Sequence, residues 1–329
     1  MKEAEHYKKR SDGKIGCLLC PHACIISDGE VGYCGARKAQ DGKLLSLNYG
    51  QATSIAMDPI EKKPLYHFHP GSEILSIGTF GCSFHCDFCQ NYEISQGKPP
   101  TYSVTSSEVV KAAKERNSIG IAYTYNEPFI WFEFVKETSE LARKEGFVNV
   151  LVTNGYVNPQ PLAELLPLTD AANVDIKSIR EDFYKRLCKA KLHPVLDTCI
   201  AFAKAKVHIE VTNLIIPGEN DTDEEFKELS SWICDNLGKM TPVHLSAYFP
   251  HYKFTAPPTP AATLERAYEI FSKLLPYTYL GNVRTQKGSS TLCPACSAEL
   301  ISRRGYDVKV TGLDGRKCAN CGREIEIAR

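Results

Sequence analysis

The sequence predicts an α/β protein with a parallel sheet, set between two small cysteine-rich modules. Three observations point there. Apolar runs of strand length alternate with amphipathic helical segments from about residue 73 to 284. The runs are almost continuously apolar, as strands covered on both faces are. Eleven of the 14 cysteines fall into three clusters, one inside that region and one on either side of it.

The strand-like runs are Glu73–Phe80, Gly120–Tyr125, Val148–Val152, Ala172–Ile176, Val207–Ile216 and Val243–Tyr248. Thr105-x-x-Glu108 reads as a capping box opening a helix with Val109, Val110 and Ala113 inside. Thr222-x-x-Glu225 reads the same way, followed by Phe226, Leu229, Trp232 and Ile233 on one face and Gly238 as a stop. Thr259-Pro260 starts a further helix carrying Leu264, Ala267, Tyr268 and Phe271. Six β-then-α units in series call for right-handed crossovers. They suit a doubly wound sheet or a partial barrel, and periodicity leaves both open. Residues 1–71 read as an irregular cysteine-bearing segment and 72–284 as the α/β core. From 285 to 329 the composition turns to Ser, Gly and Cys, a third module.

Composition excludes several classes. The 329 residues hold 39 Lys plus Arg and 39 Asp plus Glu, so no net cationic field draws the chain to nucleic acid or an anionic membrane. A hydrophobic share of 43% with 24% charged residues is that of a folded globular chain rather than a disordered one. No run of 18 apolar residues marks a transmembrane helix. The first ten residues lack the apolar stretch of a secretory signal. A reducing, cytoplasmic setting is therefore expected, where clustered cysteines hold metal rather than disulfides. Cys188, Cys199 and Cys234 stand apart from the clusters and read as small packing residues on helical segments.

Gly81-Cys82-Ser-Phe-His-Cys86-Asp-Phe-Cys89 directly follows the first strand. Three thiolates at C-x3-C-x2-C spacing suit a cubane iron–sulfur cluster, whose usual complement is four cysteines. A missing fourth ligand leaves one iron open, as a catalytic metal requires. The plainer alternative is a zinc knuckle with a distant fourth ligand.

This motif, with the aromatic Phe88 just before its last cysteine, resembles the radical S-adenosylmethionine superfamily. The resemblance implies a [4Fe-4S] cluster on Cys82, Cys86 and Cys89. Its open iron would chelate the amino and carboxylate groups of S-adenosylmethionine, with Phe88 beside the adenine. It also implies a partial (β/α)6 TIM-like barrel. Further strand ends fit: Tyr123-Thr-Tyr-Asn126-Glu127-Pro128, Thr153-Asn154-Gly155, Asp175-Ile-Lys177 and Ile215-Ile-Pro217-Gly218. The series is similar to the pyruvate formate-lyase activating enzymes. Cys17–Cys24, the Lys63–Phe68 run and the C-terminal cysteine pairs further resemble the AmmeMemoRadiSam system radical SAM enzymes.

By that resemblance Asn126, Glu127, Thr153, Asn154, Asp175 and Lys177 surround S-adenosylmethionine. The chemistry agrees, since Asn126 and Glu127 can accept from an ammonium group and Lys177 can meet a carboxylate. The expected partners are a reductant protein such as flavodoxin or ferredoxin, and a protein substrate bearing a glycine. Val152 and Thr212 depart from the activating pattern, where Asp and Arg stand, so radical modification of a small metabolite held with partner proteins is the alternative. His244, near the sixth strand, is a candidate catalytic residue, with a structural histidine as the rival reading.

Cys293-Pro-Ala-Cys296 and Cys318-Ala-Asn-Cys321 lie 21 residues apart, the spacing of a four-cysteine zinc ribbon. So short a module needs metal for its folding energy. Arg303, Arg304, Arg316, Lys317, Arg323 and Arg329 give it a mild positive bias, read as a solvated face. The rival function for the whole chain is a non-catalytic zinc-ribbon adaptor. At the other end Cys17, Cys20, Cys24 and Cys34 form another four-thiolate set, for which zinc is expected and a second iron–sulfur cluster is the alternative.

Overall fold

The computed structural model of the protein describes residues 1–285 and 287–328. All six expected strands form. We number the main sheet β1 (Ser54–Pro59), β2 (Glu73–Gly78), β3 (Gly120–Tyr123), β4 (Val148–Thr153), β5 (Ala171–Asp175), β6 (His208–Ile215), β7 (Val243–Ala247) and β8 (Thr278–Gly281). Spatial order equals chain order. A doubly wound sheet reverses direction at a switch point, and this one does not, which decides for the barrel-type winding. β2 to β8 pair in parallel, while β1 runs antiparallel to β2. Among the described residues β1 and β8 do not pair, so the barrel is open.

Helices α1 (Ser106–Glu115), α2 (Phe132–Lys144), α3 (Pro159–Leu165), α4 (His193–Lys204), α5 (Asp223–Leu237) and α6 (Ala261–Phe271) form the crossovers. Thr105 and Glu108 make the reciprocal capping box. Thr222 caps α5 from one side only: its hydroxyl accepts from the Glu225 amide. The Glu225 carboxylate is taken instead by Ser178, the Ile179 amide and Arg180.

Inside the sheet, Ile74, Ala122, Val150 and Ala171 pack against Ile60, Leu65 and Phe68, with Ala328 alongside. The segment between β1 and β2 thus fills the N-terminal end of the barrel. Residues 1–53 are less irregular than expected. They form two three-stranded antiparallel sheets whose strands are two to four residues long, too short for a periodic signal. The C-terminal module is a three-stranded sheet, Thr291–Leu292, Glu299–Arg304 and Asp307–Val310. Its Leu300, Ile301, Ile325 and Ile327 pack on Tyr277 and Tyr279 at β8. Arg329 lies outside the described residues. Among the described residues no helix is long and apolar enough to cross a membrane.

Candidate functional site

Gly81 turns the chain out of β2 into the cysteine loop. Its φ is +88°, and a Cβ there would sit 2.4 Å from the Cys34 carbonyl oxygen, so only glycine fits. Asn126, just past β3, fixes the same turn: its Oδ1 accepts from the Thr79 amide at 3.1 Å and its Nδ2 donates to the Gly81 carbonyl at 2.8 Å. The expected free acceptor for a ligand is thereby occupied, and Asn126 positions the loop.

Burial pushes the Cys82 and Cys89 thiols above their ordinary range. Cys86 is raised first by a hydrogen bond with Cys188 and then by burial. Three buried thiols that stay protonated alone become thiolates on taking up metal. They share one tight loop beside cationic Lys177, a donor set that fits a cubane cluster. Cys188 is a residue the sequence reading left among the packing positions. It lies in a helical turn, Tyr184–Cys188, and no local pattern links it to a loop so distant in sequence.

Glu127 follows β3 and is 1% exposed. Its carboxylate accepts from the Phe129 amide at 3.0 Å, the Thr153 hydroxyl at 2.7 Å and the Asn154 amide at 2.8 Å. Burial outweighs these bonds and pushes its pKa up to about 7. No ion pair among the described residues engages it. Asn154 reaches the cysteine loop, donating to Ser83 Oγ at 3.1 Å and lying 3.5 Å from Cys82 Sγ. Asp175 and Lys177 pair at 3.0 Å. Burial works against the Lys177 charge, but Asp175, Cys86 and Cys188 overcome it and raise its pKa. Lys177 Nζ lies 5.9 Å from the centre of the buried Phe88 ring.

The strand ends therefore gather Phe88, Glu127, Thr153, Asn154, Asp175 and Lys177 about the three cysteines. His244 is placed elsewhere. It is the second residue of β7, buried, with Nε2 donating to Glu210 at 2.6 Å. Tyr279 stacks on it at 5.4 Å and Tyr66 meets it edge-on. Glu210 also accepts from the amides of Tyr66 and His67 and from His208. This knot ties the sheet to the segment that fills its N-terminal end, so the structure gives His244 a structural partner set rather than a place at the cysteine loop. Thr212, one of the two departures from the activating pattern, bonds Asn173 inside the barrel at 2.9 Å.

At the C-terminus the sulfurs of Cys293, Cys296, Cys318 and Cys321 all lie within 4.8 Å of one another. That agrees with a tetrahedral four-thiolate metal, where Zn–S bonds of about 2.3 Å put sulfurs roughly 3.8 Å apart.

Comparison with known proteins agrees with this geometry. The family profile described as the radical SAM superfamily matches residues 76–233. An uncharacterised protein of Methanocaldococcus jannaschii is 44% identical over 99% of both chains. The pyruvate formate-lyase 1-activating enzyme of Escherichia coli K12 is 27% identical, over 51% of this chain and 71% of that one. Among solved structures, Streptococcus suis SuiB bound to S-adenosylmethionine aligns with TM-score 0.53 and 11% identity, over 64% of this chain and 52% of that one, a likeness of fold. With its cysteine loop, its strand-end ring and a near full-length relative in hand, the chain belongs to the radical SAM superfamily.

Proposed function

We propose that this radical SAM enzyme abstracts hydrogen from a substrate presented at the open rim of the barrel, a protein glycine being the first candidate. The observation that carries the reading is the juxtaposition of the Cys82–Cys89 loop with Glu127, a buried carboxylate with no cation paired to it among the described residues. When bound, the [4Fe-4S] cluster and S-adenosylmethionine supply reductive cleavage to methionine and a 5′-deoxyadenosyl radical. In this reading Cys82, Cys86 and Cys89 hold the cluster. Glu127 accepts from the ligand's amino group, Lys177 meets its carboxylate and Phe88 covers the adenine. Asn126 and Asn154 keep the loop in place and water out.

The names of the activating-enzyme relatives, which act on another enzyme, support a polypeptide substrate. So does a cavity of about 530 Å³ at the C-terminal ends of β7 and β8, lined by Ala247, Phe249, Thr259, Asn282, Val283 and Arg284. Phe249 is exposed there, as a contact for a large partner would be. Val152 and Thr212 favour the second reading, a small metabolite. In both readings the C-terminal cysteines hold zinc, which stabilises the module and has no open position for chemistry.

A protein substrate deuterated at glycine, incubated with enzyme, dithionite and S-adenosylmethionine, should yield deuterated 5′-deoxyadenosine and a glycyl paramagnetic resonance signal. Deuterium arriving only from a labelled metabolite would establish the second reading. No 5′-deoxyadenosine under any condition would overturn both.

A further inference from the structure

We infer that Cys17, Cys20, Cys24 and Cys34 hold a second [4Fe-4S] cluster, which relays single electrons to the cluster on the Cys82–Cys89 loop; the relay rests on the reading of that loop given above. Zinc was the expectation from sequence, because the thiol set alone suits either metal. Geometry separates them.

The four cysteines line one cavity with Leu19, Ile26 and Ile130 as apolar wall. The backbone amides of Leu19, His22 and Ala36 donate to Cys17, Cys20 and Cys34. Such donors stabilise thiolates. Yet no three of these sulfurs lie mutually within 4.8 Å, whereas the four of the C-terminal module do. A single zinc draws its thiolates to roughly 3.8 Å from one another. A cubane binds each thiolate at a different corner iron and so needs them further apart. Cys82, Cys86 and Cys89 likewise form no such close group. Within one chain, then, the ribbon has its four sulfurs gathered as around a single ion, and the other two sets do not.

A second observation marks the cavity as a seat for an anionic group. Arg37 lines it and is fully buried. Its Nη1 donates to Glu133 at 2.7 Å and its Nη2 to the Ile130 carbonyl at 3.1 Å, but its Nε has no hydrogen-bond partner. An orphaned buried guanidinium N–H is costly unless an acceptor occupies the cavity beside it. A cluster with inorganic sulfide faces supplies acceptors beyond the thiolates themselves.

The third observation gives the role. The Cys82 amide donates to the Cys34 carbonyl at 3.2 Å, so a ligand residue of one set is hydrogen-bonded to a ligand residue of the other. Around that contact His22 Nε2 donates to the Ser83 carbonyl at 2.7 Å, and Tyr33 stacks on His85 at 4.0 Å. The N-terminal module is thus built against the cysteine loop and not merely tethered to it. A low-potential one-electron protein donor, of the flavodoxin or ferredoxin class, would reduce the N-terminal cluster by one electron. That cluster is reoxidised as the same electron passes to the loop cluster. No bond is made or broken and no proton moves.

The test is metal content and paramagnetic resonance on the full chain, reconstituted anaerobically. Wild type should hold two [4Fe-4S] clusters and one zinc. The Cys82→Ala/Cys86→Ala/Cys89→Ala variant should keep one cluster and one zinc, and show a reduced-cluster signal with dithionite. Two zincs and no iron in that variant would overturn the inference. Equal iron in variant and wild type would instead show that the loop holds no cluster and sink the radical reading, so the two failures are distinguishable. Cys17→Ser/Cys20→Ser should slow reduction of the loop cluster by reduced flavodoxin at least about tenfold, read by rapid-freeze paramagnetic resonance. Reduction at the wild-type rate would overturn the relay.

Discussion

The barrel buries carboxylates toward both ends, and two of them, Glu127 and Glu210, are shifted in opposite directions. Glu127, beyond the C-terminal end of β3, accepts three hydrogen bonds from neutral donors, and burial still pushes its pKa up to about 7. Glu210, in the first half of β6, is equally buried. Burial would raise it too, but the hydrogen bonds and charges of His208 and His244 win and hold it well below the usual carboxylate range. Three donors at Glu127 do not offset its burial, whereas the interactions with His208 and His244 offset that of Glu210. Glu210 has its partners within the fold and is saturated. Among the described residues Glu127 has no cationic partner, and the ligand's amino group would supply one. Their pH signatures differ in sign. Glu210 stabilises the fold fully above its unfolded pKa, and that contribution is lost as pH falls below that value and through the depressed folded pKa. The raised pKa of Glu127 favours the fold at low pH, and that contribution is lost as pH rises through about 7.

The sharpest way to break this comparison is to empty the C-terminal mouth. Replacing Cys82, Cys86 and Cys89 together with Ala should abolish 5′-deoxyadenosine formation. The contribution of the loop cluster to visible absorbance should vanish with it, while the Glu210 knot keeps the chain folded. Wild-type levels of product in that variant would remove the loop from the chemistry.

At the opposite end, Glu210→Ala leaves His208, His244 and two backbone amides without their acceptor. The expected cost is about 3–5 kcal/mol of stability, the scale for breaking a buried ion pair. It should be visible in denaturant unfolding, with little change in S-adenosylmethionine affinity for the folded fraction. Lost affinity at unchanged stability would reverse the roles assigned to the two ends.

Glu127→Gln tests the mouth more gently. The amide keeps the shape but gives up the charge, so S-adenosylmethionine binding should weaken by about 1–3 kcal/mol at pH 8. Wild-type affinity should fall roughly tenfold between pH 8 and pH 6 as the carboxylate is protonated, and the variant should lose that dependence. Anaerobic equilibrium dialysis at both pH values reads both effects. A variant as pH-sensitive as wild type would assign the titration to another group.

What the sequence shows and hides divides along the same line. The strands with continuous apolar runs were legible, as were the Thr105 box and the cysteine loop, because each is a local pattern. β1, Ser54-Ile-Ala-Met-Asp-Pro59, was not: it carries polar residues and a proline and forms only because β2 offers an edge. β8 is four residues long and was missed for a similar reason. The Glu127 bonds to Thr153 and Asn154 fit the expected ring. The loss of Asn126 to the loop backbone, and the meeting of Cys86 with Cys188, depend on contacts across the fold that no spacing encodes. Glu225 shows the limit of motif reading: the box was spelled out, but Arg180 and Ser178 took the carboxylate.

The smallest effect is expected from His244, and it bears most directly on which end does the chemistry. As a residue of the mouth, His244 would be needed for turnover. As a member of the Glu210 knot it supplies one N–H to a carboxylate that has three other donors. Gln can place an amide N–H near the position of Nε2, so His244→Gln should retain the hydrogen bond while losing the stacking on Tyr279. Stability should drop by about 1 kcal/mol, the scale of one hydrogen bond made weaker rather than removed. The rate of S-adenosylmethionine cleavage with dithionite should stay within about twofold of wild type, because no group at the cysteine loop touches this side chain. His244→Ala controls for the substitution: it leaves Glu210 Oε2 with the Tyr66 amide as its remaining donor and should cost more stability than Gln does, again without a selective loss of cleavage. A hundredfold fall in cleavage by a fully folded His244→Gln variant would move this histidine to the mouth and end the division between a saturated end and a ligand-seeking one.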